Sequence, residues 1–118
     1  MVRASWDELT ADLDEHDQGL LAAFRATCLA LPETEERVSR TEAAYAVRRI
    51  YASGYVRTHL LELAVHLRHE VPHPLLRQAF ATTRTVVTHR LRIETLDELA
   101  SVADLITEAH DTVGPGTR

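Results

Sequence analysis

Lysine is absent: all thirteen cations are arginine, set against eighteen acids. An all-guanidinium set favours planar, bidentate contacts with carboxylate or phosphate, and a GC-rich genome would produce the same bias. Cys28 is the one cysteine, which excludes an internal disulfide. No metal or redox motif surrounds it, so it reads as a small core residue. The four glycines, Gly19, Gly54, Gly114 and Gly116, are too dispersed for a phosphate-cradling loop. No Gly-x-Ser-x-Gly elbow surrounds Ser39, Ser53 or Ser101, so nucleophilic catalysis lacks its usual signature. No apolar run approaches the roughly 20 residues of a membrane span. Asp7, Glu8 and Asp12 stand where a secretory leader would be apolar. These absences lead to the expectation of a soluble, cytoplasmic and non-enzymatic chain.

What is present begins with size. The 118 residues, 45% of them hydrophobic, suit one domain with one core, expected over 1–113, with 114–118 as a flexible tail. Charge is sorted by segment. Residues 37–92 hold ten arginines against three acids, a balance of +7, whereas 1–36 balance at −7 and 93–118 at −5. A basic middle between acidic ends implies an anion-facing surface or a self-neutralising fold.

Periodicity supplies the elements. Ser5 with Glu8 forms a capping box that opens a short helix carrying Trp6, Leu9 and Leu13. A second helix is predicted from near Asp17, its stripe Leu20, Leu21, Phe24, Cys28 and Leu31 stopped by Pro32. Thr41 to Tyr51 suits either helix or strand, and Ser53-Gly54 supplies turn chemistry. Leu61, Leu63, Val65 and Leu67 alternate with Glu62, Ala64, His66 and Arg68, the two-residue period of a half-buried strand. Pro72 and Pro74 end it, leaving Leu75 to Ala81 as a loop or one helical turn. Thr85 to Glu94 alternates again, with His89, Leu91 and Ile93 on one side and Arg90 and Arg92 on the other. Thr95 with Glu98 caps a last helix, whose stripe runs from Leu99 to Val113. The predicted class is α+β: an antiparallel sheet of three to four strands, with N-terminal helices and a C-terminal helix packed on one face. The alternative, with 41–52 and 59–69 helical, is an all-α bundle.

Three segments carry a family resemblance: Val38-Ser39-Arg40-Thr41-Glu42-Ala43-Ala44-Tyr45, Thr88-His89-Arg90-Leu91-Arg92-Ile93, and the capped helix from Thr95 through Glu108-Ala109-His110. Over about residues 17–113 the chain resembles the bacterial family catalogued as domain of unknown function 5655, and more distantly YdhG-like domains. His110 stands where that family more usually has Tyr. The resemblance implies an α+β fold with an antiparallel sheet. It carries no established activity and no catalytic residue.

Candidate chemistry centres on arginines and histidines. Arg48, Arg49, Arg57, Arg68, Arg90 and Arg92, interleaved with Tyr45, Tyr51 and Tyr55, form a candidate anion surface for a small ligand, a protein partner or a nucleic-acid backbone. The ligand-binding set drawn from it is Tyr45, Arg49, Arg90 and Arg92, with His89 lining or closing the site. A net charge of −5 argues against a dedicated nucleic-acid binder. His66, His69 and His73 with Glu70 cluster in sequence, but the prolines beside them oppose convergence on a metal, and none is assigned there. His89, on an apolar side, needs a hydrogen-bond partner or a pocket. A His59–His89 pair is the alternative centre for metal handling or a small enzyme. No cofactor is implied. Self-association is expected through 85–93, taken as an exposed edge strand.

Overall fold

A computed structural model describes residues 3–116 and contains a six-stranded antiparallel sheet with helices on one face. The elements are α1 (Trp6–Thr10), α2 (Glu15–Leu29), β1 (Glu35–Val38), β2 (Ala43–Ala46), β3 (Ile50–Arg57), β4 (Leu60–Leu67), β5 (Leu76–Thr83), β6 (Val86–Ile93), α3 (Leu96–Ser101) and α4 (Ala103–Thr112). The sheet order is β1-β2-β3-β4-β6-β5. Among the described residues no helix is long and apolar enough to cross a membrane.

The class is α+β, but the expected three to four strands are corrected to six. Each added strand has a physical reason for being obscure. β1 is a polar Glu-Glu-Arg-Val run that pairs with only one other strand, β2. β5 is the other edge and is largely exposed on both faces, so it shows no apolar alternation. Ser53-Gly54, taken as a turn, lies inside β3, and the ambiguous stretch before it divides into β2 and the start of β3. The single C-terminal helix is also corrected, because Val102 (φ −105°, ψ 3°) leaves helical geometry and separates α3 from α4. Residues 85–93 are no edge: β6 is hydrogen-bonded to β4 on one side and β5 on the other. Of the predicted tail, 117 and 118 lie outside the described residues; the Gly114 carbonyl accepts from the backbone N–H of Arg48 (2.8 Å) and of Arg49 (3.0 Å).

Both capping boxes form, at Ser5/Glu8 and Thr95/Glu98, each satisfying helix-end donors reciprocally. The main helix starts earlier than expected because Asp14 is its N-cap, accepting from the Asp17 N–H at 2.8 Å. Leu20, Leu21, Phe24 and Cys28 of α2, with Ile106 and Ala109 of α4, cover Tyr45, Ala52, Leu61, Leu63, Val65, Leu67, Leu91 and Ile93. Each large aliphatic or aromatic side chain so buried contributes roughly 1.5–3 kcal/mol. Gly54 lets α2 come close: a Cβ there would lie 2.9 Å from Phe24 Cε2 and 3.0 Å from Leu63 Cδ2.

Candidate anion-binding cleft

Three rows of paired residues decide which side chains share a face. Tyr45, Ala52, Val65, His89 and Ala79 sit opposite one another across five strands, all on the helix-covered side. One position along, Ala44, Ser53, Ala64, Arg90 and Gln78 form the matching row on the open side, and Tyr55, Glu62 and Arg92 a third. Because strand residues alternate faces, the first row points toward the helices and the other two toward the open face, where Ala44 is itself buried.

On the open side Tyr55 and Arg57 of β3, Thr58 of the turn, Leu60 and Glu62 of β4, Arg77 and Gln78 of β5, and Arg90 and Arg92 of β6 line a cleft of about 830 Å³. A register shift between Leu76 and Gln78 accompanies the projection of both Arg77 and Gln78 into it. Ala64 beside Arg90 contributes only a methyl group to that face. The cleft holds four arginines and one carboxylate, a balance of +3. Arg92 Nε lies 3.0 Å from Glu62 Oε2. Among the described residues Arg57, Arg77 and Arg90 have no carboxylate within 4.0 Å. The guanidinium of Arg90 sits 5.7 Å from the Phe80 ring centroid, a cation–π contact that leaves its N–H edges free. Such a cleft can accept a multiply charged oxyanion through several bidentate guanidinium contacts.

Of the residues singled out from the sequence, Arg90 and Arg92 are brought together here. Arg49 lies toward the far end of the same face, in a second hollow of about 310 Å³ with Arg37, His66 and Thr82. Burial first, then the nearby charge of Arg49, pushes the pKa of His66 down, and its Nδ1 lies 2.9 Å from the Thr88 hydroxyl. Tyr45 is on the opposite side of the sheet, edge-on to Phe24 at 5.3 Å, and its hydroxyl donates to Glu36 at 2.9 Å. Burial and that carboxylate raise its pKa far above the ordinary phenol range. His89 is fully buried; its Nε2 accepts from the Val71 N–H at 2.9 Å and its Nδ1 faces the Val87 carbonyl at 3.2 Å. Both ring nitrogens are thus satisfied by backbone, as a buried core histidine requires.

The remaining candidates disperse. Tyr51 is buried, Arg68 donates twice to the Thr112 carbonyl, and Arg48 lies beside Val47 and Pro115. Burial pushes the Cys28 thiol up to about 12, which makes it inert. His69 faces Glu108 and His73 faces the Ser101 carbonyl, so the histidine cluster does not converge. His59 occupies the β3–β4 turn, whereas His89 pairs with Val65, six residues further along β4, about 20 Å away. Arg77 and Glu62 were missed as site residues. The first sat in a stretch read as loop, although Phe80 and the Thr82-Thr83 pair are strand-favouring signals. The second was seen only as the polar partner in an alternating strand.

No family model, curated protein or solved structure matches this chain.

Proposed function

We propose that this protein is a non-enzymatic binding module that takes a small, multiply charged anion, such as a phosphate-bearing metabolite, into the open-face cleft. The observation that carries the reading is the convergence of Arg57, Arg77 and Arg90, none with a carboxylate partner among the described residues, beside the Glu62-paired Arg92. Three unneutralised guanidinium groups around one hollow repel each other, and an oxyanion relieves that repulsion. The acids that balance them lie largely on the N- and C-terminal segments, α2, α3 and α4 among them, away from this face. A cytoplasmic setting belongs to this reading, as does kinship with the domain of unknown function 5655 family, which rests on the residues of β2, β6, α3 and α4.

A single-stranded nucleic acid is the second reading. It is favoured by exposed Phe80 beside Arg90 and by Arg37 and Arg49 continuing the basic face, but weakened by the loss of Tyr45 and Tyr51 to the core. Self-association belongs to the first reading, with β5 in place of residues 85–93 as the pairing edge. Thermal-shift and calorimetric titrations with pyrophosphate, and with a short oligonucleotide, test the cleft. Pyrophosphate should stabilise the wild type. Arg90→Ala should weaken its binding about tenfold, and Arg48→Ala, outside the cleft, should leave it unchanged. No stabilisation at millimolar pyrophosphate, or equal losses in the two variants, would refute the proposal; stronger binding to the oligonucleotide would select the second reading.

A further inference from the structure

The β3–β4 hairpin turns on Thr58 (φ 52°) and His59 (φ 66°), two residues at positive φ where the tight hairpin turn favours Asn-Gly. The turn lends Thr58 to the cleft and points His59 the other way, at the N-terminus of α2. There His59 Nδ1 lies 3.0 Å from Asp17 Oδ2 and 3.3 Å from Asp14 Oδ2. One donor atom from each of the three residues lies within 4.8 Å of the others. Asp14 Oδ1 is already used, accepting from the Asp17 N–H, so its Oδ2 is the free oxygen.

A hydrogen bond between His59 and Asp17 accounts for part of this geometry. A single imidazole N–H cannot satisfy both carboxylates fully, and it leaves Asp17 Oδ1 untouched. That oxygen is buried without a hydrogen-bond partner, on a side chain only 7% exposed. A buried carboxylate oxygen without a donor is costly, and a cation held against the carboxylate removes the cost. The two spacings from His59, 3.0 and 3.3 Å, agree with this: ligand atoms about 2.1 Å from a common ion stand about 3.0–3.4 Å apart at octahedral or tetrahedral angles.

We propose that Asp14, Asp17 and His59 form a binding site for one divalent transition-metal ion, of the zinc or manganese class. One imidazole nitrogen with two carboxylates suits such borderline ions better than calcium or magnesium, which prefer all-oxygen shells. Asp17 is the buried, fixed ligand. Asp14 and His59 are exposed and close over the ion from the helix cap and the hairpin, leaving the remaining positions to water. The site is separate from the cleft and stands whether or not the cleft binds an anion.

The test titrates the full chain, stripped by chelator, with zinc chloride and separately with manganese chloride by calorimetry. The expected result is one equivalent bound with micromolar or tighter affinity, not displaced by millimolar magnesium. Thr58→Asn combined with His59→Gly installs the residues the turn prefers while deleting the imidazole, so it keeps the fold and should weaken binding at least about tenfold. Asp17→Asn should do the same. A His69→Ala/His73→Ala variant should bind as wild type. In amide NMR spectra, manganese should broaden residues 14–18 and 57–60. Wild type that binds neither ion below millimolar concentration, full affinity in the turn variant, or broadening centred on residues 66–73 would each overturn the site.

Discussion

Glu62 and Arg92 face each other across the β4–β6 pair, Arg92 Nε 3.0 Å from Glu62 Oε2, and form the one carboxylate–guanidinium pair inside the described cleft. Glu62 is therefore an internal competitor: it occupies one arginine that an incoming anion would otherwise use.

Glu62→Gln should strengthen pyrophosphate binding about three- to tenfold, the equivalent of roughly 0.7–1.4 kcal/mol, by removing a negative charge from the cleft and freeing Arg92. Stability should change by only about 0–1 kcal/mol, because Arg92 is half exposed in the pair. Calorimetry checks the first value and urea denaturation the second. Weaker binding in the variant would mean that Glu62 holds Arg92 in its productive orientation.

Gly54→Ala should destabilise the fold by about 1–3 kcal/mol, since the added methyl would lie 2.9 Å from the Phe24 ring and 3.0 Å from Leu63. Adding Phe24→Leu should make the second loss smaller than in the wild-type background, because the two sites share one contact. Urea midpoints of the two single variants and the double variant measure the coupling; strict additivity would show that the helix shifts instead.

Stability should fall as pH rises above about 6.5 because of His110. Burial alone would lower its pKa. The Pro32 carbonyl and the Asp111 carboxylate, each 2.7 Å from a ring nitrogen, together with the charges of Asp111 and Glu33, outweigh burial and hold it above the ordinary value. A raised folded pKa gives stability that is complete below the unfolded value, about 6.5, and is lost as pH rises through the folded value. Its position on the last turn of α4 favours the same charged form. His66, with its pKa lowered chiefly by burial, has the opposite sign and loses stability as pH falls below about 6.5. Denaturation of wild type and His110→Gln between pH 6 and 8.5 isolates the first effect: the variant should lose less stability across that range.

Legibility differed by element. Both capping boxes, the α2 stripe and the alternation of Leu61–Leu67 and of β6 came directly from local spacing, because a cap or a two-residue period is a property of a few adjacent residues. β5 was invisible for the reason that makes it an edge: exposed on both faces, it carries no apolar pattern to detect. The cleft was half legible. Arg90 and Arg92 were placed opposite Leu91 and Ile93 by parity alone, yet Arg77 needed β5, and Arg57 needed the β3–β4 register.

Local chemistry along the chain thus settled helix starts, the apolar side of each clear strand and the exposure of the paired arginines. The folded arrangement settled what those rules cannot reach. Tyr45 shares a face with His89 only through a register running across β2, β3, β4 and β6, and Asp17 meets His59 at a sequence separation of 42. Side-chain direction within a strand depends on immediate neighbours, whereas the choice of which strands adjoin, and which sheet face the helices cover, depends on burying one common core.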